Sequence, residues 1–110
     1  MTVAQIAKAL DLKILAGEEG LNRPVTGGYC GDLLSWVMGR AQEGDAWITV
    51  MGNLNSIAVA SLADTACIIL AERAEFDEDA KARADEEGIP VLGSEKPTYA
   101  LAVELSRCLG

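Results

Sequence analysis

The chain has 110 residues, 50% of them hydrophobic and 24% charged, with a mean hydropathy of +0.19. This is the composition of one compact domain, residues 1–110, and it excludes a mainly disordered chain. Nine basic against seventeen acidic residues give a net charge of −8, which opposes the counterion release that draws proteins onto nucleic acids and anionic membranes, so neither partner is expected. The sequence has no His. The commonest general base, the commonest zinc ligand and any Ser-His or Cys-His nucleophile pair are therefore missing.

Cys30, Cys67 and Cys108 are odd in number, widely spaced and without a Cys-x-x-Cys pair. With no secretory signal ahead of them, the expectation is a reduced, cytoplasmic chain. The apolar stretches fall far short of the ~20 residues needed to cross a bilayer.

Thr2 and Gln5 form a capping box ahead of Val3, Ile6, Ala7 and Leu10, which recur at helical spacing and predict an opening helix. Leu12 to Ala16 is a brief apolar stretch, followed by a turn at Gly17-Glu18-Glu19-Gly20. Pro24 to Cys30 reads as a weak strand ending in a loop; its Gly27-Gly28 pair implies a bulge or a close backbone approach. Asp32 is placed to cap a helix whose Leu33, Leu34, Val37, Met38 and Ala41 share one side, with Trp36 turned away from that stripe. Trp36 is then either a contact residue or covered by the chain's own loops.

Ala46 to Met51 and Ala66 to Ala71 are almost continuously apolar, as strands covered on both faces of a parallel sheet should be. Between them Asn53 or Asn55 caps a helix over about Ser56 to Ala63 that is apolar nearly all round, predicting burial in the fold or against a second subunit. Asp77 caps the next helix, with Phe76, Ala80 and Ala84 as a narrow stripe and Gly88 as a left-handed stop. Eight acids against three bases from Glu72 to Glu87 read as a solvated face. Pro90 lacks a ladder donor, which places Ile89 to Leu92 at a sheet edge. After Pro97 comes a closing helix with Leu101, Leu105 and Cys108 on one face.

Strand–helix alternation repeated three times after Pro24 predicts a single small α/β domain, a mainly parallel sheet flanked by helices. Ligands of such sheets sit beyond the carboxyl ends of the strands. Three loops qualify: Thr26-Gly27-Gly28-Tyr29, Met51-Gly52-Asn53-Leu54-Asn55, and Gly93-Ser94. Glycine amides and helix N-termini favour an anion, and Arg23 is a planar donor for carboxylate or phosphate. The ligand-binding or interface candidates are therefore Arg23, Thr26, Gly27, Gly28, Asp32, Trp36, Gly52, Asn53 and Asn55. No phosphate loop or dinucleotide fingerprint occurs. Asp32, Asp45 and Asp64 read as cap or turn residues, and Ser35 has no base near it in sequence, so no catalytic residue, cofactor or metal is expected.

Three segments together carry a more specific signal. Leu21-Asn22-Arg23-Pro24-Val25-Thr26-Gly27-Gly28-Tyr29, then Gly31-Asp32-Leu33-Leu34-Ser35-Trp36-Val37-Met38-Gly39, then Gly44-Asp45-Ala46-Trp47-Ile48-Thr49 resemble the DRTGG domain. The resemblance runs from about Leu12 to Leu105. Its naming residues map onto Arg23, Thr26, Gly27 and Gly28, and Asn22 stands where the pattern has Asp, keeping the short polar side chain without its charge. Domains of this family occur alone, in pyrophosphatases that carry CBS domains and in a phosphate acetyltransferase. They are also similar to the N-terminal domain of HPr kinase/phosphorylase, whose catalytic phosphate loop lies in another domain.

The resemblance implies an α/β regulatory or assembly module. The expected function is thus a non-catalytic module that forms a homodimer and takes a small anionic metabolite or nucleotide at the Arg23 to Tyr29 loop. The alternative that the HPr kinase similarity implies is a part in phosphoryl-transfer regulation of metabolism.

Overall fold

A computed structural model describes the chain from Met1 to Gly110. In chain order the elements are α1 (Val3–Ala9), β1 (Lys13–Ala16), a 3-10 turn (Glu18–Gly20), β2 (Gly27–Cys30), α2 (Leu34–Arg40), β3 (Asp45–Thr49), α3 (Leu54–Ala63), β4 (Cys67–Leu70), α4 (Glu78–Glu87), β5 (Val91–Gly93) and α5 (Thr98–Leu109). The five strands make one sheet in the order β1-β5-β4-β3-β2. β2 to β5 are parallel, and β1 joins antiparallel beside β5. This is the α/β architecture that the alternating pattern predicts.

Strand periodicity sorts the side chains into two cores. Ala46, Ile48, Cys67, Ile69 and Leu92 meet Val3, Ile6 and Leu10 of the α1 segment and Leu101 and Leu105 of α5. Trp47, Ile68, Leu70 and Val91 point the other way, onto Val37, Ile57, Ala60, Ala80 and Ala84 of α2, α3 and α4. Both strand faces are covered, which is why β3 and β4 read as unbroken apolar runs. Each fully buried Leu or Ile contributes roughly 1.5–3 kcal/mol, so the two layers carry the fold.

The caps follow the local chemistry. The Gln5 N–H donates to Thr2 Oγ1 at 3.2 Å and the Thr2 N–H to Gln5 Oε1 at 2.9 Å. Asn53 is the residue that caps α3, its Oδ1 accepting from the Ser56 N–H at 3.1 Å, so the helix starts at Leu54. Gly88 ends α4 with φ +67°.

Several expectations are corrected. Asp32 does not cap α2: Leu33 occupies that position, and the Asp32 carboxylate reaches β3 instead. Only Val37 of the expected α2 stripe is fully buried; Leu33 and Met38 are exposed because the helix lies at the sheet's β2 end, with only α3 beside it. α3 is not covered all round, since Ala58, Ser61 and Leu62 face outward. β5 is interior rather than at an edge: Pro90 immediately precedes the strand and has its carbonyl free to accept from the Ile68 N–H, while β1, which the short stretch from Leu12 did not announce, covers the outer side. Of the two readings of Gly27-Gly28, the close approach holds and the bulge does not: both pair in regular register with Asp45 and Ala46. Asp77 takes the N-cap position of α4, but its side chain makes no capping bond.

Candidate functional site

The residues singled out from sequence fall at opposite ends of the parallel strands. Because β2 begins at Gly27, opposite Asp45, Arg23, Thr26 and Gly27 lie at the amino ends, while Asp32, Gly52, Asn53 and Asn55 lie beyond the carboxyl ends. Trp36 is on the outer side of α2.

At the amino end the motif is tied into the chain by several hydrogen bonds and close contacts. The Arg23 guanidinium donates through Nη1 to the Thr65 carbonyl at 3.2 Å, and its own carbonyl accepts from the Val3 N–H at 3.0 Å. The Thr26 N–H donates to the Gly44 carbonyl, and Gly44 itself adopts φ +85°, a left-handed conformation that glycine takes without cost. Gly27 lies so close to β3 that a Cβ there would sit 2.7 Å from Asp45 Oδ1. That carboxylate is buried and accepts from the Gln42 N–H at 2.8 Å. A Cβ on Gly28 would sit 2.8 Å from Leu105 of α5, so this glycine sets the helix-to-strand approach. Two shallow hollows flank Arg23, and both carry acids: Glu19 and Glu87 in one, Glu43 and Asp64 in the other. The local field there disfavours an anion. Thr65 Oγ1, beside Arg23, is the one buried side-chain polar atom without a partner.

Beyond the carboxyl ends, Asp32 holds two strand exits together. Its Oδ1 accepts from Thr49 Oγ1 at 2.7 Å and from the Val50 N–H at 3.0 Å. Buried Trp47, which is not among the candidate site residues, ties the same loop down by donating from Nε1 to the Gly31 carbonyl at 2.8 Å. The Gly52 carbonyl accepts from the Asp77 N–H, and its Cα packs directly on the Glu75 carbonyl. Asn53 is committed to its cap and Asn55 is exposed. None of these residues lines the largest hollow of the molecule. That cleft, of about 550 Å³, opens over the ends of β4 and β5 and is lined by Lys13, Leu15, Leu70, Arg73, Phe76 and Glu95, together with Asp11, Ala74, Gly93 and Ser94. Of the sequence-derived loops only Gly93-Ser94 reaches it. The others of its residues carry no local motif, since the topology alone brings positions 11–15, 70–76 and 93–95 together.

Trp36 is 53% exposed, with the Arg40 guanidinium stacked 3.8 Å over its ring, and Leu33 is 58% exposed one turn before it. Neither Cys30 nor Cys67 is primed as a nucleophile. Burial pushes Cys67 up to about 12 against a weaker opposing pull from Arg23. Partial burial and then the neighbouring Asp32 carboxylate raise Cys30. No three His, Cys, Asp or Glu side chains converge as metal ligands, and no helix is long and apolar enough to cross a membrane.

No curated protein sequence matches the chain. Among solved structures, the fold is similar to the CBS and DRTGG domains of the regulatory region of Clostridium perfringens pyrophosphatase, crystallised with the activator diadenosine tetraphosphate. That likeness has a TM-score of 0.75 at 13% identity; it covers 94% of this chain, which spans 45% of that one. The DRTGG domain family matches residues 5–108, nearly the whole chain and every segment quoted above, and the chain belongs to that family.

Proposed function

We propose that this DRTGG domain is a regulatory module without chemistry of its own, which acts by self-association and by taking up a small anionic metabolite or nucleotide. The observation that carries the reading is the outer side of α2, where Trp36 stands exposed with Leu33 one turn before it. Soluble monomers rarely leave large apolar side chains grouped in solvent, and Trp and Arg, here stacked as Trp36 and Arg40, are the residue types that anchor interfaces. The surface supports an isologous dimer, in which one patch meets its own copy. A nucleotide as ligand is supported by the activator bound in the Clostridium perfringens regulatory region. Non-catalytic action is supported by the tying down of Arg23, Asp32 and Asn53 in internal hydrogen bonds.

Sedimentation velocity at tens of micromolar tests self-association. A species of twice 11.6 kDa is expected, with Trp36→Ala shifting it to the monomer; an 11.6 kDa monomer of the unaltered chain at that concentration overturns the proposal. Incubation with ATP, Mg²⁺ and a seryl acceptor should transfer no phosphate. Sustained turnover would overturn the non-catalytic half.

A further inference from the structure

Adjacent strands β4 and β5 send their chains to opposite faces of the sheet: β4 leads to α4, which packs with α2 and α3, and β5 leads to α5, which packs with α1. Diverging exits from neighbouring parallel strands open a crevice, the place where open α/β sheets take their ligands. Here the start of β1, antiparallel beside β5, walls the third side and makes the crevice the 550 Å³ cleft, a size within the range of small-molecule sites.

The cleft is preformed. The Ser94 N–H donates to the Leu70 carbonyl at 3.0 Å, the Arg73 N–H to the Ser94 carbonyl at 2.8 Å and the Glu72 N–H to the Lys96 carbonyl at 2.9 Å, so the diverging loops are stitched together. Two of these donors, Glu72 and Arg73, sit at φ +57° and +54°. Non-glycine residues hold that conformation only where their surroundings enforce it.

Its lining has two parts. Leu15, Leu70 and Phe76 give an apolar floor, against which a flat ring packs. Lys13 and Arg73 supply the positive charge. Lys13 makes no ion pair, whereas Arg73 pairs with Glu95, both side chains being largely exposed. An exposed pair of this kind contributes little, so an incoming anion takes the guanidinium's planar donors at small cost. Asp11 and Glu95 stand at the same cleft, and with the chain's net charge of −8 they oppose a polyanion.

We infer that this cleft, and not the Arg23 loop, is the ligand site, and that it takes a planar ring bearing one phosphate, of the size of a nucleoside monophosphate. The inference rests on the ligand-binding half of the proposed function and gives it a place and a class.

Isothermal titration of the full chain with AMP, adenosine, inorganic phosphate and ATP tests it. AMP is expected to bind. Adenosine and phosphate, each lacking half of the recognised chemistry, should bind at least tenfold more weakly, and ATP should bind more weakly than AMP. Lys13→Ala should weaken AMP about tenfold. Asp11→Asn should tighten it severalfold, because Asn tolerates the left-handed backbone that Asp11 adopts at φ +55° and removes a repelling charge. Arg23→Ala should leave AMP affinity unchanged. Loss of AMP binding in Arg23→Ala with retention in Lys13→Ala overturns the location while leaving a ligand-binding module standing. Tighter ATP than AMP overturns the class. No binding of any probe at millimolar concentration overturns ligand binding altogether, and self-association is then judged separately by sedimentation.

Discussion

The two ends of the parallel sheet do opposite work with similar residues. At the amino end, an arginine, a threonine and several glycines are locked in: Arg23 on the Thr65 carbonyl, Thr26 on Gly44, Gly27 against the buried Asp45. At the carboxyl end, Lys13 is free and Arg73 is held only by an exposed acid over a preformed cleft. The residues naming this family build the fold at one end, and the other end is left open for contact. A guanidinium anchored on a carbonyl and flanked by acids is poorly placed to take an anion, whereas an exposed ion pair exchanges partners cheaply.

The largest effect is expected at Gly27. Val is the better strand former and on propensity alone should stabilise β2. Its Cβ would instead press on Oδ1 of Asp45, whose carboxylate the Gln42 N–H holds in place through Oδ2. Overpacking against an immobile group should make Gly27→Val less stable by roughly 2–3 kcal/mol in urea unfolding. A gain in stability would show that close approach is not what the glycine is for. Arg23→Ala comes next. It removes a charged donor from a half-buried carbonyl, and a loss of about 1–2 kcal/mol is expected in the same measurement. A loss near zero would return Arg23 to the pool of free cations.

The sequence revealed those parts of this organisation that local chemistry encodes. The Thr2–Gln5 box, the Asn53 cap and the Gly88 stop are contacts within a few residues, and the double burial of β3 and β4 is written as continuous apolar runs. Asp32 misled because its local setting is that of a cap, whereas the partners that satisfy it, Thr49 and Val50, are 17 and 18 residues away. Pro90 misled because the strand follows it instead of containing it, and β1, four residues long with Ile14 39% exposed, has too short a pattern to register. The cleft was visible only at Gly93-Ser94. Its walls depend on strand order, which is fixed by where β1 docks, and no single stretch of sequence carries that information.

A smaller effect sharpens the same contrast through pH. Asp85 on α4 is tied to the amino end: its carboxylate is held below the usual range first by the Lys81 hydrogen bond and then by the Gly17 N–H, which donates to it at 2.8 Å. A carboxylate with a lowered folded-state pKa contributes stability that is complete above the ordinary carboxylate range and is lost as pH falls through the lowered value. The Tm difference between the unaltered chain and Asp85→Asn should therefore be constant near neutrality and shrink below about pH 4. A difference that stays constant down to pH 2 would show that the charge on Asp85 does not strengthen its bond from α4 to the Gly17 N–H.

The smallest expected change is at Lys13. The side chain is exposed, makes no ion pair and projects from the outermost strand, so Lys13→Ala should unfold within about 0.5 kcal/mol of the unaltered chain. A null stability result has content here because Arg23→Ala, a removal of the same charge at the other end, is expected to be costly. If Lys13→Ala cost as much, the carboxyl end would be stitched as the amino end is, and its cleft would be a packing gap. If it costs nothing, the chain keeps at that rim a cation that folding does not require. A cation at a preformed cleft that is neither paired nor needed for folding has its charge and its donors available to an incoming anion.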